Sequence, residues 1–329
     1  MILGAMLAVG GASGVPVDVL DQDDGLPSSN VLVVDQDAAG YLWIGSADGL
    51  ARYDGLTFKL WQHEESDPNS LPSDRIETLF IDAADRIWVG TEAGGLAWLG
   101  KDREAFTRVV HDPDDPAGLA GDTVWEFAEG GEGTVWLATS TGILQRFDPT
   151  TGVFERFETL QRALAGAPVF SLAIGPARAV WVGTVGAGLV RFQPQSGDVD
   201  VWRHAETDPR SIGDNVIFDI EFDATGRPWV GTSNGISVLE EDGGFRRLLD
   251  AGSEEGAAAA SRSFTDLHFD AAGSLWGASR RDLVLRAQDG EVRRFRHDLR
   301  GLHALPDAEL NHIFEDREGQ LWLGTEGGG

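Results

Sequence analysis

The 329-residue chain contains no cysteine, which excludes a disulfide framework and any thiolate metal site and leaves the redox compartment open. Basic residues are scarce, 26 Lys and Arg against 54 Asp and Glu, for a formal charge of -28. That balance repels phosphate backbones and anionic head groups, so nucleic acid and acidic polysaccharides are disfavoured partners. Neutral and cationic ligands stay open, and a solvated acidic coat that keeps the protein soluble explains the same charge without any ligand. Helical periodicity is also missing, as is the GxSxG motif of a nucleophile elbow. Residues 2–16, ILGAMLAVGGASGVP, are uncharged but too short to span a membrane. They resemble the apolar part of an export signal that lacks its basic leader, the alternative being a flexible tail, so residues 1–14 are set apart as a signal-like or disordered segment.

What the chain does have is tryptophan at a nearly fixed pitch. Trp43, Trp88, Trp136, Trp181, Trp229, Trp276 and Trp322 are spaced 45 to 48 residues apart, each followed three residues later by Ser or Thr, as in WIGS, WVGT and WLGT. Six residues before the tryptophan stands Asp37, Asp82, Asp223, Asp270 or Asp316. Three before it stands Gly40, Gly133, Gly226, Gly273 or Gly319. This loose DxxG between apolar runs reads as a hairpin turn, with Asp bonding the turn backbone and Gly accepting positive φ. Asp85 and Arg178 replace the glycine in two repeats, and Gly175 stands where Asp would start the turn, so these turns are expected to differ in shape.

With two further short strands around each hairpin, every repeat holds about four strands, the pattern of a propeller blade. The expected fold is all-β: a seven-bladed β-propeller of four-stranded antiparallel blades forming one domain over residues 15–329. An apolar pair three residues apart marks each outer strand, for example Phe58 and Trp61, Phe154 and Phe157, and Val199 and Trp202. The same pair occurs early, at Val17 and Leu20, which makes this segment the outer strand that closes the last blade. The last repeat stops at Gly329, so that blade is expected to be incomplete, one strand short, and the chain to be a fragment.

Segments such as GLPSSNVLVVDQDAAGYLWIGSADGLARYDG and SDPNSLPSDRIETLFIDAADRIWVGTEAGGL resemble the two-component regulator propeller repeat family. The resemblance implies the periplasmic sensor part of a membrane-bound hybrid histidine kinase or diguanylate cyclase. The membrane helix and output domain would lie elsewhere in the full-length receptor, with homodimerisation through that receptor. It implies no catalysis in this fragment and no cofactor, with an unknown small molecule or neutral glycan as ligand.

Four histidines, His63, His111, His204 and His297, each lie eight residues before an apolar residue (Leu71, Leu119, Ile212, Leu305) and read as scaffold. More telling is where the repeats disagree. Counted back from the repeat tryptophan, positions minus 12 and minus 9 are always apolar, from Val31 and Val34 to Leu310 and Ile313. Between them, minus 11 and minus 10 vary: Leu32 and Val33, Glu77 and Thr78, Trp125 and Glu126, Phe170 and Ser171, Phe218 and Asp219, Thr265 and Asp266, Asn311 and His312. On the innermost strands one member of each pair should face the central channel. The candidate site is therefore Glu77, Trp125, Glu126, Asp219, Asp266 and His312, with Asn30 and Arg75 at the rim. Such a ring favours a cation or a hydroxyl-rich ligand, against a water-filled, hydrogen-bonded shaft as the structural reading. Two other functions stay open: a purely structural interaction propeller, and a propeller lyase using a channel-mouth histidine, His312 or His268, with a metal. No metal site is assigned: DQDDG at 21–25 and DPDDP at 112–116 lack the helix-loop-helix calcium pattern and read as solvated loops.

Overall fold

The computed structural model describes residues 2–5, 17–249, 263–280, 282–296 and 309–327. Six four-stranded antiparallel sheets are each made of consecutive strands, running outward from the inner strands Val31–Gln36, Ile76–Ile81, Val124–Gly131, Val169–Ile174, Ile217–Phe222 and Asp266–Phe269. The remaining sheet is composite. Its inner strand Glu309–Glu315 and second strand Leu321–Glu326 are followed by Ile2–Ala5 and then, outermost, Val17–Leu20. Seven blades, the last closed by an N-terminal strand, were expected; the structure has six blades of consecutive strands, and the remaining sheet is assembled from both ends of the chain. The outer place of Val17–Leu20 is as expected, but the sheet is not one strand short. Ile2–Ala5, within the segment set apart on composition, pairs antiparallel with Leu321–Gly324 and supplies the third strand, whose backbone groups would otherwise end the sheet at an open edge. Inner strands of successive sheets touch all the way round, and Val31–Gln36 also meets both Glu309–Glu315 and Leu321–Glu326, which closes the ring. His297 and Leu305 lie outside the described residues, as do residues 6–16.

The recurrent sequence explains itself atom by atom. Asp37 accepts the turn amides of Ala39 (3.0 Å) and Tyr41 (3.1 Å) on Oδ1, and its Oδ2 accepts the indole N–H of Trp43 at 2.8 Å. The same indole bond joins Trp88 to Asp82, Trp229 to Asp223, Trp276 to Asp270 and Trp322 to Asp316, at 2.8 to 3.0 Å. One carboxylate therefore shapes the turn and satisfies a buried donor. Where Gly175 replaces the Asp, the Trp181 indole nitrogen is buried without a hydrogen-bond partner.

The Ser or Thr three residues on also has a fixed task. Its hydroxyl donates to the carbonyl across the next turn, as Ser46 to Gly49 (2.8 Å), Thr91 to Gly95 (3.0 Å), Thr184 to Gly188 (2.7 Å) and Thr232 to Gly235 (2.9 Å). The glycine before it marks a close approach between sheets. A Cβ on Gly90 would lie 2.7 Å from the carbonyl oxygen of Val124 in the next inner strand, and one on Gly45 would lie 2.7 Å from Ile76 Cγ2.

Asp85, in the glycine position of its turn, takes φ 62, the left-handed conformation of Gly40 and Gly226, so that turn keeps its shape. The turn at Gly175 does differ, a 3-10 turn with Ala177 (φ 55) and Arg178 (φ 57) both left-handed. Helix was not expected anywhere, yet Glu158–Leu164 forms one, burying Leu160 and Leu164 on one face one turn apart. Accordingly the outer strand there ends at Glu155. Phe157 precedes the helix and lies 5.2 Å from the Trp136 ring. His63, His111 and His204 are scaffold: each Nδ1 sits 2.6 to 2.8 Å from the carbonyl of the apolar residue eight positions on. Among the described residues no helix is long and apolar enough to cross a membrane.

Candidate functional site at the channel mouth

Apolar side chains at minus 12 and minus 9 are three apart, which simple two-residue strand alternation cannot place on one side. The inner strands resolve this with a bulge. Register shifts fall between Val31 and Val33, Ile76 and Thr78, Val124 and Glu126, Val169 and Ser171, Ile217 and Asp219, and Leu310 and His312. The extra residue at minus 11 lets both apolar neighbours stay buried, Val31 at 0% and Val34 at 1% exposure in the first blade. It also turns both variable residues toward the axis. The expectation that one of each pair faces the channel is therefore corrected: both line a central cavity of about 480 Å³.

Six of the predicted residues, Glu77, Trp125, Glu126, Asp219, Asp266 and His312, line this cavity. The other two stand at its rim. Arg75 Nε donates to Glu77 Oε1 at 2.6 Å, and Asn30 Oδ1 accepts from Asn311 Nδ2 at 3.4 Å. The mouth is two-sided. Trp125, Phe170 and Phe218, the minus 11 residues of three successive blades, form an arc of rings with centroids 5.8 and 6.1 Å apart. Phe170 is 42% exposed. At the same position the other sheets carry Thr265, Asn311, Leu32 and Glu77.

Immediately below lies a layer at minus 10 that ties five of the inner strands to the next. Thr78 donates to Glu126 Oε1 (3.5 Å) and Ser171 to Asp219 Oδ1 (3.3 Å). Asp219 Oδ2 accepts the amide of Leu267 (2.8 Å) and Asp266 that of Ile313 (2.5 Å). His312 Nε2 sits 3.1 Å from the carbonyl of Val34, which carries the tie across the closure of the ring. A deeper layer at minus 8 repeats the device. Asp35 accepts the amide of Ile81 (3.0 Å), and His268 Nε2 lies 3.3 Å from Glu315 Oε2. Asp35 and Glu221 were missed by sequence reasoning, although carboxylates at a position that elsewhere holds Phe80, Ala128, Ala173 and Phe314 were the available signal.

Burial without matching cations raises these acids. Glu126 is pushed up to about 7, with the Phe127 amide opposing, and Asp35 to about 6, against the amides of Gln36 and Ile81. Burial and then the Asp266 charge carry Glu221 to about 7. Asp219 is raised well above the usual carboxylate range by burial, Asp266 and Glu221. For His312 burial works downward but is outweighed by the Asp266 carboxylate 3.4 Å away, and its pKa rises to about 9. The Asp266 carboxylate thus favours the protonated form of His312. Among the described residues no three His, Asp or Glu side chains are grouped to hold a metal. DQDDG at 21–25 forms a self-capped 3-10 turn, Asp21 accepting the amide of Asp23 at 2.8 Å.

Residues 70–93 and 304–327 match the two component regulator propeller family. A 48-residue stretch is 44% identical to Histidine kinase P4 of Formosa agariphila, covering 15% of this chain and 4% of that protein. The extracellular domain of the putative hybrid two component system BT3049 from B. thetaiotaomicron superposes with a TM-score of 0.82 at 21% identity, over 95% of this chain and 41% of that one. That of BT4673, from the same organism, gives 0.73 at 22%, over 92% and 38%. Virginiamycin B lyase from Staphylococcus aureus shares the fold more loosely, with a TM-score of 0.64 at 13% identity over 91% of this chain and 95% of that one. The chain spans about two fifths of the two extracellular domains, and a far smaller part of the kinase. Two stretches of the chain thus resemble the two-component regulator propeller repeat.

Proposed function

We propose that this chain is the extracytoplasmic, periplasmic sensor propeller of a two-component or cyclic-di-GMP receptor, and that its ligand seats in the mouth of the central channel. The observation that carries the reading is the doubled row of variable residues. Bulges turn two residues per inner strand toward one cavity, and these differ between repeats whose scaffold residues agree. A scaffold-only shaft accounts for the minus 10 ties but gives the three rings at minus 11 no partner in the core. The repeats resemble those of a histidine kinase, and the fold matches extracellular domains of hybrid two-component systems, which supports a sensing role with output domains elsewhere in the receptor. The lyase reading finds less support, because His312 is engaged by Asp266 and the Val34 carbonyl.

The test is Glu126→Gln in the full-length receptor, read as reporter output under growth conditions that switch on the parental receptor. The amide oxygen can still accept the Phe127 N–H, so the ring stays closed while the charge is lost. The expected result is a dose–response displaced by at least about tenfold, a contact worth roughly 1.4 kcal/mol. An unaltered response from a normally folded receptor would count against a channel-mouth site.

A further inference from the structure

The arc of rings and the acid layer beneath it suit one chemical class, and we infer that the channel mouth takes an organic ammonium with an apolar body. The inference rests on the sensor reading above and goes further by naming the ligand. Trp125, Phe170 and Phe218 are aromatic at minus 11, one of the two positions at which the repeats vary, and they stand side by side on three consecutive blades. Phe170 remains 42% exposed, an apolar surface open to the cavity. Ring faces attract cations through their quadrupole and cover alkyl or aryl groups equally well.

One residue deeper, Glu126, Asp219 and Asp266 face the same cavity with only His312 as a cation among them, and Asp35 and Glu221 lie below. Arg75 offers no compensation, being engaged by Glu77 and Glu92. A positively charged group above this layer would favour the ionised forms of Glu126 and Asp219, which burial otherwise keeps protonated. A neutral polyol would gain no such charge pairing, and many of the carboxylate oxygens are already occupied by neighbouring amides and hydroxyls. A bare metal ion fits less well. It would ignore the rings, and the carboxylates are spread around the ring, with no grouping suited to metal coordination among the described residues. At about 480 Å³ the cavity has room for a ligand of a dozen or so heavy atoms.

The experiment is isothermal titration of the 329-residue chain with phenethylammonium chloride and, separately, with 2-phenylethanol, its neutral counterpart. The ammonium is expected to bind at least about tenfold more tightly than the alcohol, and Phe170→Ala to weaken it by about tenfold with an unchanged melting temperature. Equal binding of ammonium and alcohol would overturn the cationic class while leaving an apolar site at the mouth. Binding of neither would overturn the inference altogether. The sensor reading is judged separately, by receptor output with Glu126→Gln, so the two can fail independently.

Discussion

Trp88→Ala is expected to destabilise the protein by roughly 3–5 kcal/mol, the range for emptying a large aromatic from a packed core. Trp88 is fully buried, lies 4.8 Å from Trp98 and 6.1 Å from Phe147, and donates its indole N–H to Asp82. Removing it opens a void between two sheets and strips Asp82 of one partner. Folded domains hold only about 5–15 kcal/mol in reserve, so this variant should melt several degrees lower or fail to accumulate. Trp88→Phe separates the two contributions. It keeps most of the volume, and Asp82 retains Arg86 at 2.5 Å and its turn amides, so a loss of about 1–2 kcal/mol is expected in thermal or urea unfolding. Equal losses for the two variants would show that the hydrogen bond outweighs packing, contrary to this account.

The second large effect is on pH. Glu126 and Glu221, raised to about 7, and Asp35, raised to about 6, bind protons more tightly in the folded chain than in the unfolded one. Stability therefore falls as pH climbs from the unfolded carboxylate range, near 4, through these folded values. His312, raised to about 9, acts in the same direction. Its contribution is complete below the unfolded value near 6.5 and is lost as pH rises through 9. The turn carboxylate Asp223 runs the other way. Burial disfavours its charge, but bonds from Thr225, Trp229 and Arg227 outweigh this and hold it below its usual value, so its contribution is present above about 4 and lost only in acid. The melting temperature should peak near pH 4, where the raised acids are still protonated and Asp223 is ionised, and drop by a few degrees by pH 8.5. That corresponds to roughly 2–4 kcal/mol after allowance for water in the channel. A flat profile across this window, or a peak above pH 8, would show that the channel acids are not held as described.

Much of the fold was legible because the repeat tests every inference several times over. The Trp pitch, the DxxG turn and the Ser or Thr each recur, and the structure gives each a single physical task. The closing role of Val17–Leu20 was legible for the same reason, as an outer strand without its own blade. Ile2–Ala5 was not, because four uncharged residues carry no repeat signature and their strand is defined by backbone pairing with Leu321–Gly324 on one side and Val17–Leu20 on the other. The helix Glu158–Leu164 escaped notice because it is seven residues long, with only Leu160 and Leu164 to mark a buried face. At the candidate site, the variable pairs drew attention, but the three-residue spacing of their apolar flanks was read as packing alone. That spacing was the mark of a bulge, and it would have placed both residues of each pair in the channel and brought Phe170 and Phe218 into the site beside Trp125.

The separation of site from scaffold is tested most directly by the double variant Trp125→Ala/Phe170→Ala, measured for melting temperature as this chain and for signalling output in the full-length receptor. Both side chains face the cavity and neither belongs to the buried core between sheets. A melting temperature within a few degrees of the parent is expected, since the two rings face the cavity and each other, together with loss of the signalling response. A response that persists in a normally folded double variant would contradict it.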